Sequence, residues 1–474
     1  MPPPFSFDLS DVKTTLAENT QLRLFALCSL YFAQGVPWGF VTISFAAWIV
    51  SPDQGLGRKE AATIIGIASL PYSFKFIWGP LVDRFSIPGP SRRRPWIIAA
   101  QGLSILTLTS MLLIDDLPGS LTLLPEDSRL RQWTGLSATG PLVLLILLSN
   151  MFVSIQDVAV DALAIDLLSE KERGIANGLM FGSSYLGTAV GGAGLGWVIA
   201  KHGIGAGIAG QALLIGSVLL IPLFFKERPE ISVNQARRPK QQSNKQGHSS
   251  NAIQPDKFVT VIKNLITAFS LRSTILGLVV ALTVKLGIGY LTPVFIDYLQ
   301  NEARWSMEQY TQTVGGWALA LGLIGSVSGG FLADQYGPHR VIIAASILLS
   351  LTWAIFGLNP EWTLHRPKII TMLLLQEYTL ALITVGLFAL FMSISWPRVG
   401  ATQFTAYMAM MNFSNTIGSL WAGKTSEEAS ISSCLYLAAG IQVVIILPLL
   451  LISPNQTRQV LGDGTTSSTD APTK

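Results

Sequence analysis

Charge is scarce in this sequence: Asp, Glu, Lys and Arg make up 13% of its 474 residues, against 50% apolar residues. A mean hydropathy of +0.47 is too high for a chain whose surface must meet water on all sides. Soluble enzymes and disordered polymers are excluded on that ground. Cysteine is nearly absent, with Cys28 and Cys434 both inside apolar runs, so a disulfide scaffold is excluded as well. The four histidines, His202, His248, His339 and His365, fall between apolar runs, which leaves no histidine metal cluster and no imidazole relay at membrane depth. Gly418-Ser-Leu-Trp-Ala-Gly423-Lys424-Thr425 matches a phosphate loop by letters alone, because it closes an apolar run instead of joining a strand to a helix, so ATP is not expected to be the direct energy source and no cofactor is implied. The string Gly205-Ala-Gly207-Ile-Ala-Gly210 matches a dinucleotide fingerprint by letters alone, because it opens an apolar run with no strand before it. The net charge of +4 reads as loop charge facing anionic lipid and not as a nucleic-acid surface.

What the sequence has in quantity is long apolar runs. Half of the chain would supply about twelve membrane helices of roughly twenty residues each. Candidate spans lie at about 22–50, 61–81, 96–114, 140–168, 175–200 and 205–225, then at 274–298, 311–333, 341–358, 369–396, 401–422 and 433–452. The 43 glycines and 25 prolines fit membrane helices, which tolerate both. The expected organisation is an N-terminal segment 1–21, a six-helix bundle 22–225, a linker 226–272, a second bundle 273–452 and a tail 453–474. The linker's polar stretch 235–251 and the Thr/Ser/Gly-rich tail cannot bury enough apolar surface to fold alone and are expected to be disordered. Residues 1–20 show no basic region followed by a short apolar core, so no cleaved signal peptide is expected.

The two halves repeat. Gly79-Pro-Leu-Val-Asp83-Arg84 ends the second span and Gly330-Phe-Leu-Ala-Asp334 ends the eighth, 251 residues later. Glu172-Arg173-Gly174 before the fifth span has its counterpart in Pro397-Arg398-Val399-Gly400 before the eleventh. Two parallel six-helix halves are the pattern of the major-facilitator transporters, so the expected fold is an all-α membrane protein of twelve transmembrane helices.

Three constellations can carry chemistry. The paired Gly-x-x-x-Asp turns, with Arg92-Arg93-Arg94 after one and Pro338-His339-Arg340 after the other, place Asp83, Arg84, Arg173, Asp334 and Arg340 as gate candidates at one face. The plainer alternative is turn chemistry and positive-inside anchoring. On the fourth span Asp157 and Asp161 stand one helical turn apart and so share a face, with Asp166 nearer the end. A carboxylate at a helix centre costs about 2.5–3.5 kcal/mol to insert and must face a cavity or a cation. Asp157 and Asp161 are therefore candidate proton-coupling residues, or else they pair with a basic residue to hold the bundle. The other charges within spans are Lys75, Lys285 and Glu377, drawn from both halves as a cavity between them would require. Gln34, Gln156, Lys285 and Glu377 are the candidate cavity residues. Tyr31, Trp38 and Trp48 either line the same cavity or serve as packing and interface anchors, and Lys75 either joins it or snorkels.

These residues resemble a known family. The run Phe74-Lys75-Phe76-Ile77-Trp78-Gly79-Pro80-Leu81-Val82-Asp83-Arg84-Phe85, then Arg92-Arg93-Arg94-Pro95-Trp96, Gln156-Asp157-Val-Ala-Val-Asp161-Ala and Glu172-Arg173-Gly174, is similar to the AmpG-type muropeptide permeases and the related acetyl-CoA transporter family of the major facilitator superfamily. Lys285-Leu286-Gly287, Glu377 and Ala401-Thr402-Gln403-Phe404 agree more weakly in the second half. The resemblance implies proton-linked import of anhydro-sugar peptides through a bacterial inner membrane, with a small-molecule solute, protons and the lipid bilayer as partners. In the family pattern an acid follows Lys-Leu-Gly, whereas Ile288 stands here.

The reading is a secondary active transporter working by alternating access, importing a polar organic solute with protons, and not an enzyme. An acetyl-CoA-like transporter and a non-transporting receptor or scaffold are the alternatives. A membrane-embedded transferase would show a His or Ser/His/Asp arrangement at depth, and none is visible. Orientation follows from the loops. With the termini and linker inside, the inner segments hold 21 Lys and Arg and the outer ones nine. Reporter fusions near Gly247 and at Lys474 should both report cytoplasm, and an external signal at either would reverse the orientation.

Overall fold

In a bilayer each backbone N–H and C=O must find its partner inside the chain, and long apolar runs can do so only as helices. The computed structural model describes residues 15–84, 92–168, 172–228, 258–396, 399–426, 428–454 and 456–462. Helices stand at all twelve expected positions. They are α1 Thr20–Ile49, α2 Arg58–Ser73 continued by Lys75–Arg84, α3 Arg94–Met111, α4 Pro141–Leu167, α5 Arg173–Ala189 continued through a π turn to Leu195–His202, and α6 Ile204–Phe224. The second six are α7 Arg272–Glu302, α8 Met307–Tyr336, α9 Pro338–Leu358, α10 Arg366–Ile394, α11 Gly400–Thr425 and α12 Ile431–Leu451. Among the described residues eight are long and apolar enough to cross a membrane by themselves, and α2 joins them as a span bent by 42°.

Two helix breaks coincide with buried charge. Phe74 leaves helical geometry at φ −110° and ψ 19°, so the second piece of α2 begins at Lys75. In α7, Lys285 sits at φ −102° and ψ 4° between Thr283 and Leu286. Both membrane-depth lysines therefore sit where a helix is interrupted.

In each half a helix pair packs backbone to backbone. Along α1 and α5 a Cβ at Gly35 would collide with the carbonyl of Ser184, and one at Gly187 with that of Phe32. The equivalent pair in the second half is α7 with α11, where Gly418 meets the Leu286 carbonyl and Gly289 meets Asn415. Glycine is required at these approaches because no side chain fits.

The face opposite the linker is closed by contacts between the halves. Arg58 Nε lies 3.1 Å from Asp297 Oδ2, and Arg58 also donates to the Ser426 carbonyl. Gln300 donates to the Ala47 carbonyl at 2.9 Å, Asn301 to that of Val50 at 3.2 Å, and Gln312 to that of Ala193 at 3.3 Å. Here also lies the loop between α3 and α4, with a two-stranded hairpin, β1 Thr122–Leu123 and β2 Ala138–Thr139, and the short helix Arg129–Thr134. Lys424 of α11 donates to the Gln132 carbonyl of that loop at 3.3 Å.

At the linker face the first half is tied by charge. Arg23 pairs with Glu172 at 2.7 Å, and Arg93 with Asp166 at 3.0 Å. The buried Glu227, just beyond α6, accepts the backbone N–H groups of Arg92 at 2.9 Å, Arg93 at 2.8 Å and Arg94. It thus caps α3 from another segment. In the second half, a tail expected to be disordered from 453 contains the helix Gln456–Leu461. Its reason is local: Gln456 accepts from the Ser273 N–H, Thr457 donates to the Ile394 carbonyl, and Leu461 packs with Ala268, Trp396 and Val399. A helix over Phe258–Phe269 likewise occupies the end of the expected linker, whose polar stretch 235–251 lies outside the described residues.

Burial pushes the Glu227 carboxyl above its ordinary value of 4.5, and the three amide donors only partly oppose this. The folded state therefore holds more protons than the unfolded chain as pH rises from that value, so this group's contribution makes stability fall with pH. Glu227→Gln keeps an acceptor and removes the ionisation. Its thermal midpoint in detergent should fall less over that range than wild type's; parallel curves would exclude Glu227 as the titrating group.

Candidate functional site

Helical spacing puts Asp157 and Asp161 on one face of α4, Asp157 about three turns and Asp161 about two turns from the linker face. The structure answers each with a different partner. The Lys75 ammonium, presented by the break in α2, forms an ion pair with Asp157. The Tyr31 hydroxyl of α1 donates to Asp161 Oδ1. The Lys75 Nζ also stands 5.7 Å from the centre of the Tyr72 ring, and Tyr72 meets Trp38 edge to face at 5.5 Å. Lys75 is thus a member of a buried cluster and does not snorkel.

Trp38 leads from this cluster to the space between the halves. A cavity of about 310 Å³ is lined by Trp38, Ser184, Tyr185 and Thr188 of the first half and by Lys285, Ile288, Glu377, Thr384, Met411 and Asn415 of the second. A second space of about 170 Å³ adjoins it, sharing Trp38, Thr188, Ile288, Glu377 and Asn415 and adding Thr42, Tyr310 and Gln376. Lys285 and Glu377 both face the cavity but are not within ion-pair distance of one another. Lys285 is placed by the break in α7, where its N–H donates to Ser414 at 3.2 Å. Glu377 is placed beside Gln376, whose side chain accepts from the Trp353 indole at 2.9 Å and so fixes that turn of α10. Ile288 lines both spaces, so an apolar wall stands one turn from Lys285.

The remaining sequence candidates are placed differently. Gln34 and Gln156, expected in the cavity, do not line it in this conformation: both are buried in the first half, and Gln156 donates to the Leu30 carbonyl of α1 at 3.4 Å. Asp83 and Arg84 end α2 and Arg173 begins α5, but their side chains lie outside the described residues. Asp334 and Arg340 are exposed on either side of the Gly337 turn, whose φ is +84°, and they form no ion pair with each other. Arg93, of the Arg92-Arg93-Arg94 run, pairs with Asp166 at the end of α4. Among the described residues no three His, Cys, Asp or Glu side chains gather as a metal ion would require.

The sequence does not point Tyr185, Asn415 or Tyr310 into the cavity, nor does it reveal the Arg58–Asp297 pair. Neutral polar residues on apolar helices give no signal of the direction they face. Arg58 and Asp297 are 239 positions apart, and each reads as an ordinary loop or helix-end charge.

Comparison with known proteins agrees with this architecture. A family model described as acetyl-coenzyme A transporter 1 matches residues 23–186. The "Putative transporter AmpG 4" of Rickettsia conorii is 24% identical over 416 residues, covering 85% of this chain and 89% of that protein. The "Anhydromuropeptide permease" of Escherichia coli K12 is 23% identical over 438 residues, covering 91% and 80%. Among solved structures, a mutant of the nucleoside transporter NupG superposes with a TM-score of 0.64 at 13% identity, covering 90% of this chain and 99% of its own. The D-xylose–proton symporter gives 0.63 at 13% identity, covering 91% and 99%. The chain is a membrane protein with the major-facilitator transporter fold, similar in sequence to AmpG-type permeases over most of its length and to the acetyl-CoA transporter family over 23–186.

Proposed function

We propose that the chain imports an anhydromuropeptide-like solute together with protons, by alternating access around the cavity between its two halves. In this reading the bundles 22–225 and 273–452 are the moving bodies, the linker and both termini are cytoplasmic, and the membrane is a bacterial inner membrane. Lys285 and Glu377 contact the solute. Asp157 and Asp161, with Lys75 and Tyr31, carry the proton, and Asp83, Arg84, Arg173, Asp334 and Arg340 act at the rim of the cytoplasmic gate.

The observation that carries the choice of solute is the charge of the cavity. Its charged lining residues, among those described, are one lysine and one glutamate. Acetyl-CoA brings several phosphate charges, which call for a cluster of Arg and Lys. A sugar-peptide brings hydroxyls, amides and carboxylate, which a single cation, a carboxyl, Tyr185, Asn415, Tyr310 and the face of Trp38 suit better. The family-model match keeps acetyl-CoA as the second reading. A thermal-shift panel of purified protein with both solutes separates them, since a ligand that binds the folded state raises its midpoint.

Transport itself is read in proteoliposomes under an imposed pH gradient. Asp157→Asn should abolish gradient-driven accumulation while sparing exchange of pre-loaded solute, because exchange needs no net proton movement, and Asp161 remains one turn away to answer Lys75. Glu377→Gln should weaken solute binding by about tenfold, the size of a lost charge-assisted hydrogen bond. An Asn variant that still concentrates solute as wild type does would refute the coupling role. Equal loss of affinity and of gradient response in both variants would make the carboxyls a single coupled system.

A further inference from the structure

The cavity is closed on the side away from the linker by many polar contacts, but on the linker side the two halves meet through rings. Phe181 lies one turn of α5 beyond the cavity residues Ser184 and Tyr185 toward the linker face, and Phe388 lies one turn of α10 beyond Thr384 in the same direction. Their ring centres are 6.3 Å apart, and this contact crosses from the first half to the second. Phe388 continues to Phe404 of α11 at 5.9 Å and 71°. On the other side Phe181 meets Tyr31 edge to face at 6.0 Å and 79°. A row of four rings therefore runs from α1 to α11 across the cavity's linker-side exit. Phe181 is still 46% exposed, so it has room to swing.

One end of that row is held by a charge. The hydroxyl of Tyr31, the same side chain whose ring touches Phe181, donates to Asp161. The groups facing Asp161 are Asp157 one turn away on α4, Lys75 from α2 and Tyr31 from α1.

We propose that Phe181 and Phe388 form the gate at the linker-side exit of the cavity, and that Tyr31 couples this gate to the charge on Asp161. The proposal deepens the proton-coupling reading and rests on it for the role of Asp161. A carboxylate holds a phenol by a charge-assisted bond roughly twice as strong as a neutral one. With Asp161 ionised, Tyr31 is held and its ring keeps Phe181 against Phe388. Protonation weakens the bond, frees the ring and lets Phe181 leave its partner. The thick contact set around Arg58 stays closed meanwhile.

The test reads access to the cavity. In full-length protein with Cys28→Ser and Cys434→Ala, Thr384→Cys places one thiol on the cavity wall. Its labelling by a charged maleimide is followed across acidic to mildly alkaline pH and normalised to Trp133→Cys, a position 88% exposed. The parent should label faster as pH falls. Phe181→Ala removes a ring pair and should label several-fold to about tenfold faster at alkaline pH. Phe388→Ala breaks the same pair from the other half and takes its place if Phe181→Ala does not fold. Labelling of that variant as slow as the parent's would overturn the gate. Tyr31→Phe keeps the ring contact and loses the hydroxyl, so its labelling should lose the pH response. A retained response would overturn the coupling. Asp161→Asn distinguishes the two levels: if it loses the response while Tyr31→Phe keeps it, only the Tyr31 link fails. If Asp161→Asn keeps the response, or the parent has none, the proton-coupling reading fails and the Tyr31 link with it.

Discussion

A charge at membrane depth must be answered by something, and the arrangement of this molecule follows from how its charges are answered. Lys75, Asp157 and Asp161 are answered within the first half, by one another and by Tyr31. Lys285 and Glu377 belong to the second half and face open space without touching. In a low-dielectric bundle, a paired group is stable as it stands, whereas a charge facing a cavity is answered by water or by a ligand. The first arrangement is the proposed proton site, whose charges are balanced in place, and the second the proposed solute site. The helix breaks at Phe74 and Lys285 serve both, because they bring a lysine inward from helices that would otherwise present it at an arbitrary angle.

The two faces of the molecule use different forces. Away from the linker, the halves are joined by an ion pair and by amides donating to backbone carbonyls, all directional and mutually supporting. Toward the linker they meet through aromatic rings, each pair worth about 0.5–1.5 kcal/mol beyond area burial. Separating the rings demands much less than separating the polar set. The conformation is therefore one in which the linker-side exit is the easier to open.

The spans, the division into two sets of six and the repeat of the Gly-x-x-x-Asp turn were legible in the sequence, because apolar length and helical period record burial directly. So were the membrane-depth charges, since a charge inside an apolar run is conspicuous wherever it points. Their partners were not legible. Asp157 and Asp161 look alike one turn apart, yet one meets an ammonium and the other a phenol, a difference set by the break at Phe74 and by the close packing of α1 on its neighbours. Gln34 and Gln156 stand beside the right residues in sequence but turn into the first half. Glu227 and the helix Gln456–Leu461 depend on acceptors and donors contributed by segments far away in the chain, which local composition does not record.

Proton and solute are proposed to be handled at separate places, the first-half cluster and the second-half cavity wall. Proton uptake from weakly buffered detergent solution, followed with a pH indicator while solute is added to purified protein, tests this separation most directly. Wild type should take up protons on binding. The double variant Asp157→Asn, Asp161→Asn should bind solute without doing so, and Glu377→Gln should bind more weakly yet still take up protons at saturation. Proton uptake that persists in the double variant and vanishes in Glu377→Gln would contradict the separation and move the proton site to the cavity wall.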